Sequence, residues 1–395
     1  MFETLPEPKI DGIIALMQAF AEDARVGKLD LGVGVYRDAA GRTPVMAAVK
    51  AAEARITETQ ESKTYLSLAG DAAFLEAMSG LLLGDAAAPA RIAAVGTPGG
   101  TAAVRQIAEL VGQANPQARI WVSAQTWPNH GPLIAAAGRE ARSYRYLDAA
   151  TGTLDRAGMF ADLEQMDAGD VLLLHGCCHN PTGVDLSAED WEEIARLLER
   201  RGVIPFVDMA YQGFGAGLDD DAAGLRMLTR RLPEVLIAAS CSKNFGLYRE
   251  RVGIAMAVGP EDLRARLAAT LGALNRRVFA FPPDHGGRVV STILGDAEMR
   301  HQWQAELAQM RERVVENRLG LAEALRSEVQ SDRFDFVAAQ QGMFSILPLR
   351  SDQVDALREA HGIYMLWDGR TNMAGLNAQT VPVLARALAE VLRKG

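Results

Sequence analysis

RIAAVGTPGGTAAVRQIAEL, residues 91–110, changes its period halfway along. It begins as a short apolar run, turns at Gly99 and Gly100, and from Thr101 repeats its apolar residues at helical spacing. A strand passing through a glycine turn into a helix is one half of a parallel-sheet unit. The alternation continues to about residue 260, with strand candidates RIWVSA (119–124), DVLLLHG (170–176), VIPFVD (203–208) and VLIAAS (235–240). Between them lie amphipathic stretches such as SAEDWEEIARLLERRG (187–202), where Ser187 followed three positions later by Asp190 is a helix-start signal. The pattern predicts an α/β fold.

Residues 296–330 keep a helical period with dense mixed charge, as expected of a long, partly exposed helix joining two domains. Beyond it, FDFVAAQQGMFSILPL (334–349) and GIYMLWDGRTNMAGL (362–376) read as strand pieces of a smaller α+β unit, closed by the helix TVPVLARALAEVLRKG (380–395). The chain has 395 residues, more than the roughly 50 to 250 of a usual domain, and its 49% apolar content can fill a large core.

A net charge of −9 opposes a general nucleic-acid or anionic-membrane surface, so any bound anion needs a local basic pocket. GIIALMQAF (12–20) is far shorter than the roughly 20 residues that cross a bilayer, and no basic segment leads into it. Three cysteines, two of them adjacent, give no disulfide framework. These features predict a soluble, cytoplasmic protein.

In open parallel sheets ligands gather beyond the carboxyl ends of the strands. Four such ends carry unusual chemistry. After the first strand, the amides of Gly100 and Thr101 and the Thr101 hydroxyl are placed to cradle a phosphate, although a plain tight turn would look the same. Asp208 ends an otherwise apolar strand, with Tyr211 three residues on; a carboxylate there needs a cationic partner, whether as a site or as a structural ion pair. Ser240, Ser242, Lys243 and Arg251 follow another apolar strand, where they can bind an anion and present an amine, although a lone loop lysine is more often simply solvated. Asn180 and Pro181 follow His175, Cys177, Cys178 and His179; a metal is not expected there, because adjacent cysteines in an extended segment point to opposite faces and no second Cys or His pair accompanies them.

A phosphate cradle, a carboxylate and a lysine from three strand ends fit pyridoxal 5′-phosphate. Its phosphate needs amides, hydroxyls and a cation; its pyridine nitrogen needs a carboxylate; its aldehyde needs a lysine that can lose a proton. An ion pair near 4 Å is worth about 4 kcal/mol at an effective dielectric of 20, so Asp208 is expected to raise the pyridine nitrogen's pKa by roughly three units.

With these residues quoted, the chain closely resembles the class I aminotransferases of the aspartate and aromatic-amino-acid type over essentially its whole length. DLGVGVYRD (30–38), TPGGT (97–101), TWPNHGP (126–132), LLHGCCHNPTG (173–183), DMAYQGFG (208–215), SCSKNFGLYRERVG (240–253) and GRTNMAGL (369–376) occur in the family's order. The resemblance implies fold type I of the pyridoxal-phosphate-dependent transferases. The N-terminal arm and part of the small domain would fall within 1–40, the large domain with a mostly parallel seven-stranded sheet within 41–295, and the small C-terminal domain within 296–395.

It also implies that Lys243 forms the Schiff base and, once freed, moves the proton between the substrate Cα and the cofactor. Asp208 pairs with the pyridinium, Tyr211 and Asn180 bond the phenolic oxygen, and Trp127 stacks on the ring. Gly100, Thr101, Ser240, Ser242 and Arg251 hold the phosphate, joined by Tyr65 from the partner in a homodimer with shared sites. Arg370 clamps the substrate α-carboxylate, a task suited to a planar fork of donors, with Gly34 and Phe344 shaping the pocket. His130 supports Asp208 from behind, or is simply a satisfied core histidine.

Arg276, in LNRRVFAFPPDHG (274–286), aligns with the arginine that reaches across the dimer to a distal carboxylate. Dicarboxylate-specific members usually have polar residues before the two prolines, where this chain has Ala280 and Phe281. The expected reaction therefore passes an amino group between aromatic amino acids (Phe, Tyr, Trp) and 2-oxoglutarate through a pyridoxal/pyridoxamine-phosphate ping-pong cycle. Aspartate and glutamate would also be accepted, and an aspartate aminotransferase with weak aromatic activity is the alternative. Ala102, where relatives commonly have glycine, sits at a helix start that tolerates it. Three other readings fail. Ser240-x-x-Lys243 lacks the companion motifs of penicillin-recognising enzymes. Gly32 and Gly34 lack the third glycine of a dinucleotide fingerprint, since Arg37 stands there. A regulator built on this fold would bring a basic DNA-binding segment.

Overall fold

Residues 2–5 and 12–394 are described by the computed structural model of the chain. Seven strands form the central sheet: β1 (Ile92–Pro98), β2 (Arg119–Ser123), β3 (Glu140–Tyr144), β4 (Val171–His175), β5 (Ile204–Met209), β6 (Val235–Ser240) and β7 (Val252–Val258). Their order is β1-β7-β6-β5-β4-β2-β3. β7 is antiparallel to both neighbours and every other pairing is parallel. The carboxyl ends of β1, β4, β5 and β6 therefore open on one edge.

Alternation along the inner strands builds two apolar layers. In β4, Leu172 and Leu174 enter one core while Val171 and Leu173 enter the other; in β5, Val207 and Phe206 divide the same way. A strand buried on both faces has no polar face to show, which is why these segments read as continuous apolar runs. Helices α1 (Gly99–Ala114) and α3 (Arg264–Val278) cover one face through Val104, Ile107, Leu271 and Leu274. Between them in sequence, α2 (Ala188–Arg201) starts at a capping box in which the Ser187 hydroxyl and the Asp190 carboxylate each accept the other's backbone amide, and it stops at Gly202 in the left-handed region.

Two strands of this sheet lie outside the expected set. Of β3's five residues only Tyr144 is buried, so an edge strand with four exposed side chains carries no apolar signal. β7 lies directly behind a stretch read for its chemistry, and its wholly buried VGIAMAV separates β1 from β6.

The expected linking helix is α4 (Ala297–Val329), capped by the Asp296 carboxylate, which accepts from the amides of Glu298 and Met299. After it the expectation of strands holds only in part: Phe336–Ala339 is a helical turn, and the strands are Phe344–Ile346, paired antiparallel with Arg370–Asn372, and Ile363–Tyr364. Leu29–Asp30 pairs in parallel with Ile363–Tyr364, tying the start of the chain to its end. Among the described residues no helix is long and apolar enough to cross a membrane.

Candidate active site

Gly100, Thr101, Trp127, Asn180, Asp208, Tyr211, Ser240, Ser242, Lys243 and Arg251 line one cavity at the carboxyl edge of the sheet, together with Val104, His175 and Ala210. At its anion end α1 begins directly after β1, so the first amides of the helix face the cavity without internal partners. Gly99 has φ +79, a conformation that needs glycine. β7 approaches so closely at Gly253 that a Cβ there would run into the Gly99 carbonyl and stand 2.8 Å from the Gly100 nitrogen. The Ser240 hydroxyl donates to Ser242 Oγ at 3.0 Å and accepts from the Ser242 amide at 3.1 Å. Arg251, exposed at the mouth, is oriented by its bond to the Tyr248 carbonyl at 3.1 Å.

At the acidic end Asp208 pairs in register with His175 and with Ala238 across β5. His130 Nε2 lies 3.1 Å from Asp208 Oδ2, its Nδ1 lies 2.7 Å from the Thr126 hydroxyl, and that hydroxyl lies 3.0 Å from His175 Nε2. Burial by itself would raise the Asp208 carboxyl, but the hydrogen bond and charge of His130, with a smaller contribution from Lys243, outweigh it and leave the carboxyl below its ordinary value. Burial, helped by His130, drives His175 down to about 3, so it stays neutral. Asp208 is thus held as a carboxylate in a low-dielectric wall.

Lys243 sits half-buried between these ends, its Nζ 4.9 Å from the centre of the Tyr211 ring. Desolvation draws its amine down from 10.5 to about 8, with Arg251 lowering it further and Asp208 working the other way. A lysine near 8 offers a neutral amine at physiological pH far more often than an ordinary one. Burial raises the Tyr211 hydroxyl, with Asp208 adding to the effect, and that hydroxyl accepts from Asn180 Nδ2 at 3.3 Å. Arg370 Nη1 donates to Asn180 Oδ1 at 3.4 Å and its guanidinium lies 5.2 Å from the Phe344 ring centre. Gly34 meets the same ring, where a Cβ would stand 2.7 Å from Phe344 Cζ.

Tyr65 and Arg276 stand apart from this group. Tyr65 is 81% exposed and stacks on Phe281 at 4.7 Å, and Arg276 points outward from the last turn of α3. Neither lines the Lys243 cavity within one chain.

Thr126 and His175 were missed as parts of the Asp208 support. The signal was a histidine ending the strand beside the one that Asp208 ends, legible only once the strand order is known. Contrary to expectation, Cys177 and Cys178 do not point to opposite faces of an extended segment: Cys178 has φ +50, which breaks the alternation, and the two thiols and the Asp221 carboxylate lie within 4.8 Å of one another. The hydrogen bond between the thiols, together with burial, raises Cys177; burial raises Cys178 to about 12. Asp221 gives both oxygens to the amides of Gly213, Gly215, Ala216 and Gly217.

A glycine cradle that a Cβ would fill, a buried carboxylate held ionised and an amine near 8, all on one edge of a mostly parallel seven-stranded sheet, fit pyridoxal phosphate and define a fold-type-I transferase dependent on it. The family described as aminotransferase class I and II matches residues 26–388. An aromatic-amino-acid aminotransferase of Paracoccus denitrificans is 51% identical over 96% of this chain and 97% of its own. An aspartate aminotransferase of Haemophilus influenzae is 40% identical over 99% of this chain and 100% of its own. Among solved structures, an aromatic amino acid aminotransferase with 3-indolebutyric acid superposes with TM-score 0.96 at 50% identity, covering 99% of this chain and 100% of that one. One from Burkholderia pseudomallei, covalently bound to pyridoxal phosphate, gives 0.96 at 39%, covering 99% of each chain. The chain belongs to the class I and II aminotransferases and is a pyridoxal-phosphate-dependent transaminase.

Proposed function

We propose that this transaminase moves the amino group of phenylalanine, tyrosine or tryptophan to 2-oxoglutarate in a ping-pong cycle, the first 2-oxo acid leaving before the second enters. The observation that carries the reading is Lys243, whose amine is drawn down to about 8 in the same cavity as the ionised Asp208. Gly100, Thr101, Ser240, Ser242 and Arg251 are the groups to hold a phosphate, Asp208 the pyridine nitrogen, Tyr211 and Asn180 the phenolic oxygen, and Trp127 the ring face. Bound there, pyridoxal phosphate supplies an electrophilic carbonyl carbon and a ring that accepts the electrons of a breaking Cα–H bond.

The chain's own residues do the rest. Lys243 Nζ, neutral, accepts the proton from the substrate Cα and returns it on the other side of the exchange. Arg370 forks onto the α-carboxylate while Phe344 and Gly34 wall the pocket. His130 keeps Asp208 ionised and oriented. Tyr65 and Arg276, exposed and outside the lining of their own cavity, serve the site of a second copy in a homodimer. Residues 41–295 form the large unit, while 296–395 with part of 1–40 form the smaller one that closes over the substrate.

Two observations favour aromatic substrates. Ala280 and Phe281 make the segment after Arg276 apolar, and the relatives at 46–51% identity are named aromatic-amino-acid or tyrosine aminotransferases, whereas those named for aspartate reach 40%. Arg276 supports the second reading, an aspartate aminotransferase with weak aromatic activity. Initial rates for phenylalanine, tyrosine, tryptophan and aspartate with 2-oxoglutarate as acceptor separate the two: specificity constants for the aromatics should match or exceed that for aspartate. Fast aspartate turnover beside undetectable aromatic turnover would reverse the assignment.

A further inference from the structure

Arg318, in the middle of α4, is 1% exposed, and its guanidinium bonds carbonyls and one hydroxyl. Nε donates to the Gly342 carbonyl at 3.0 Å. Nη1 donates to the Val337 carbonyl at 3.2 Å and Ser345 Oγ at 2.7 Å; Nη2 donates to the carbonyls of Gln341, Gly342 and Phe344 at 3.0, 2.8 and 2.5 Å. Removing a guanidinium from water costs several kcal/mol, which a fork of donors meeting four carbonyls and a hydroxyl offsets and a point-like ammonium does not. Within segment 337–345, Val337, Gln341, Gly342, Phe344 and Ser345 are therefore gathered around one cation.

That segment touches both sides of the Arg370 cage. Phe344, held through its carbonyl, pairs with Asn372 while Ile346 pairs with Arg370, and the Phe344 ring lies 5.2 Å from the Arg370 guanidinium. On the other side the Gln341 amide donates to the Gly183 carbonyl at 2.7 Å, tying the segment to the turn that carries Asn180, the partner of Arg370 Nη1. Gly183 has φ +71, and a Cβ there would stand 2.5 Å from the Phe344 carbonyl oxygen, so the two backbones are in direct contact.

We propose that Arg318 is a positioning residue for substrate carboxylate binding: by fixing segment 337–345 it sets the distance between Phe344 and the Asn180 turn, and so the angle at which Arg370 meets the carboxylate. The inference rests on the reading of Arg370 as the carboxylate clamp. Arg318 touches neither substrate nor cofactor, so its loss acts on binding more than on the proton transfer at Lys243.

The test uses the holoenzyme with Arg318→Lys and, as a milder lesion, Ser345→Ala. Initial-rate kinetics with phenylalanine and 2-oxoglutarate is combined with calorimetric binding of 3-phenylpropionate and of succinate, which carry carboxylates but no amine. For Arg318→Lys, KM for phenylalanine and Kd for the carboxylates should rise about tenfold. kcat should stay within about threefold, and the cofactor's absorbance should be unchanged. Ser345→Ala should move the same constants by a smaller factor. A lowered melting temperature with unchanged KM and Kd, or a fallen kcat at unchanged KM, overturns the proposal. If Arg318→Lys does not fold, unchanged carboxylate binding in Ser345→Ala overturns it equally. Failure of the unaltered enzyme to bind either carboxylate would instead bring down the reading of Arg370, and this inference with it.

Discussion

Replacing Lys243 with methionine should stabilise the cofactor-free protein at neutral pH, by an amount that disappears as the pH is raised. Burial lowers the lysine from 10.5 to about 8. At 1.36 kcal/mol per pH unit the drop corresponds to about 3.4 kcal/mol, and the half-buried setting, in which cavity water screens part of the charge, brings the expected gain to roughly 2–3 kcal/mol. Below pH 8 the lysine is charged in both the folded and the unfolded chain, so the folded chain bears the whole desolvation. Between 8 and 10.5 the folded amine is neutral while the unfolded one is still protonated, and the penalty falls steadily. Above 10.5 both are neutral and it vanishes.

Methionine fills nearly the same volume without a charge, so its packing contribution is the same at every pH and cancels between them. The assay is urea unfolding of both cofactor-free proteins at pH 7 and pH 10. The stability difference should shrink by about 2 kcal/mol between the two. A difference independent of pH would mean that Lys243 is an ordinary solvated lysine and not a poised amine.

Arg276→Leu should lower kcat/KM for aspartate and glutamate by about 10- to 100-fold while sparing phenylalanine, because it removes a charged hydrogen bond of 1.5–3 kcal/mol; equal losses would give Arg276 another task. Gly253→Ala, whose Cβ collides with the Gly99 carbonyl, should push the anion cradle outward and raise the dissociation constants of pyridoxal phosphate and of inorganic phosphate about tenfold, a modest overpacking cost. Fluorescence titration reads it, and unchanged affinities would show that the cradle lies elsewhere. Asp208→Asn removes a carboxylate worth about 4 kcal/mol to a cation near 4 Å, so kcat should fall up to about a thousandfold with the cofactor still bound; turnover near that of the unaltered enzyme would remove Asp208 from the chemistry.

Much of the site could be read from local sequence because its parts sit at strand ends, where an abrupt change from apolar to polar residues is visible without coordinates. Asp208 closing VIPFVD and Lys243 following VLIAAS are of this kind, as is the glycine turn before Thr101. What stayed hidden depended on neighbours distant in the chain. The His130–Thr126–His175 chain behind Asp208 needs β4 to lie beside β5. The closeness of Cys177 and Cys178 needs one residue to leave the extended conformation. Arg318 gave no signal, being one charge among many in a helix whose exposed face is also charged.

Period and motif order along the chain were enough to determine an α/β fold, a long linking helix and the residue types gathered at the strand ends, because hydrogen-bond geometry imposes those periods locally. Tertiary structure alone decided which ends are neighbours and which side chains lose their water. Arg370 meets Asn180 across 190 residues of sequence, and the lowered pKa of Lys243 comes chiefly from desolvation by surrounding atoms that no local stretch supplies. Charge energies scale inversely with the dielectric around them, so the same lysine and aspartate become chemically special only when the rest of the chain has excluded solvent from between them.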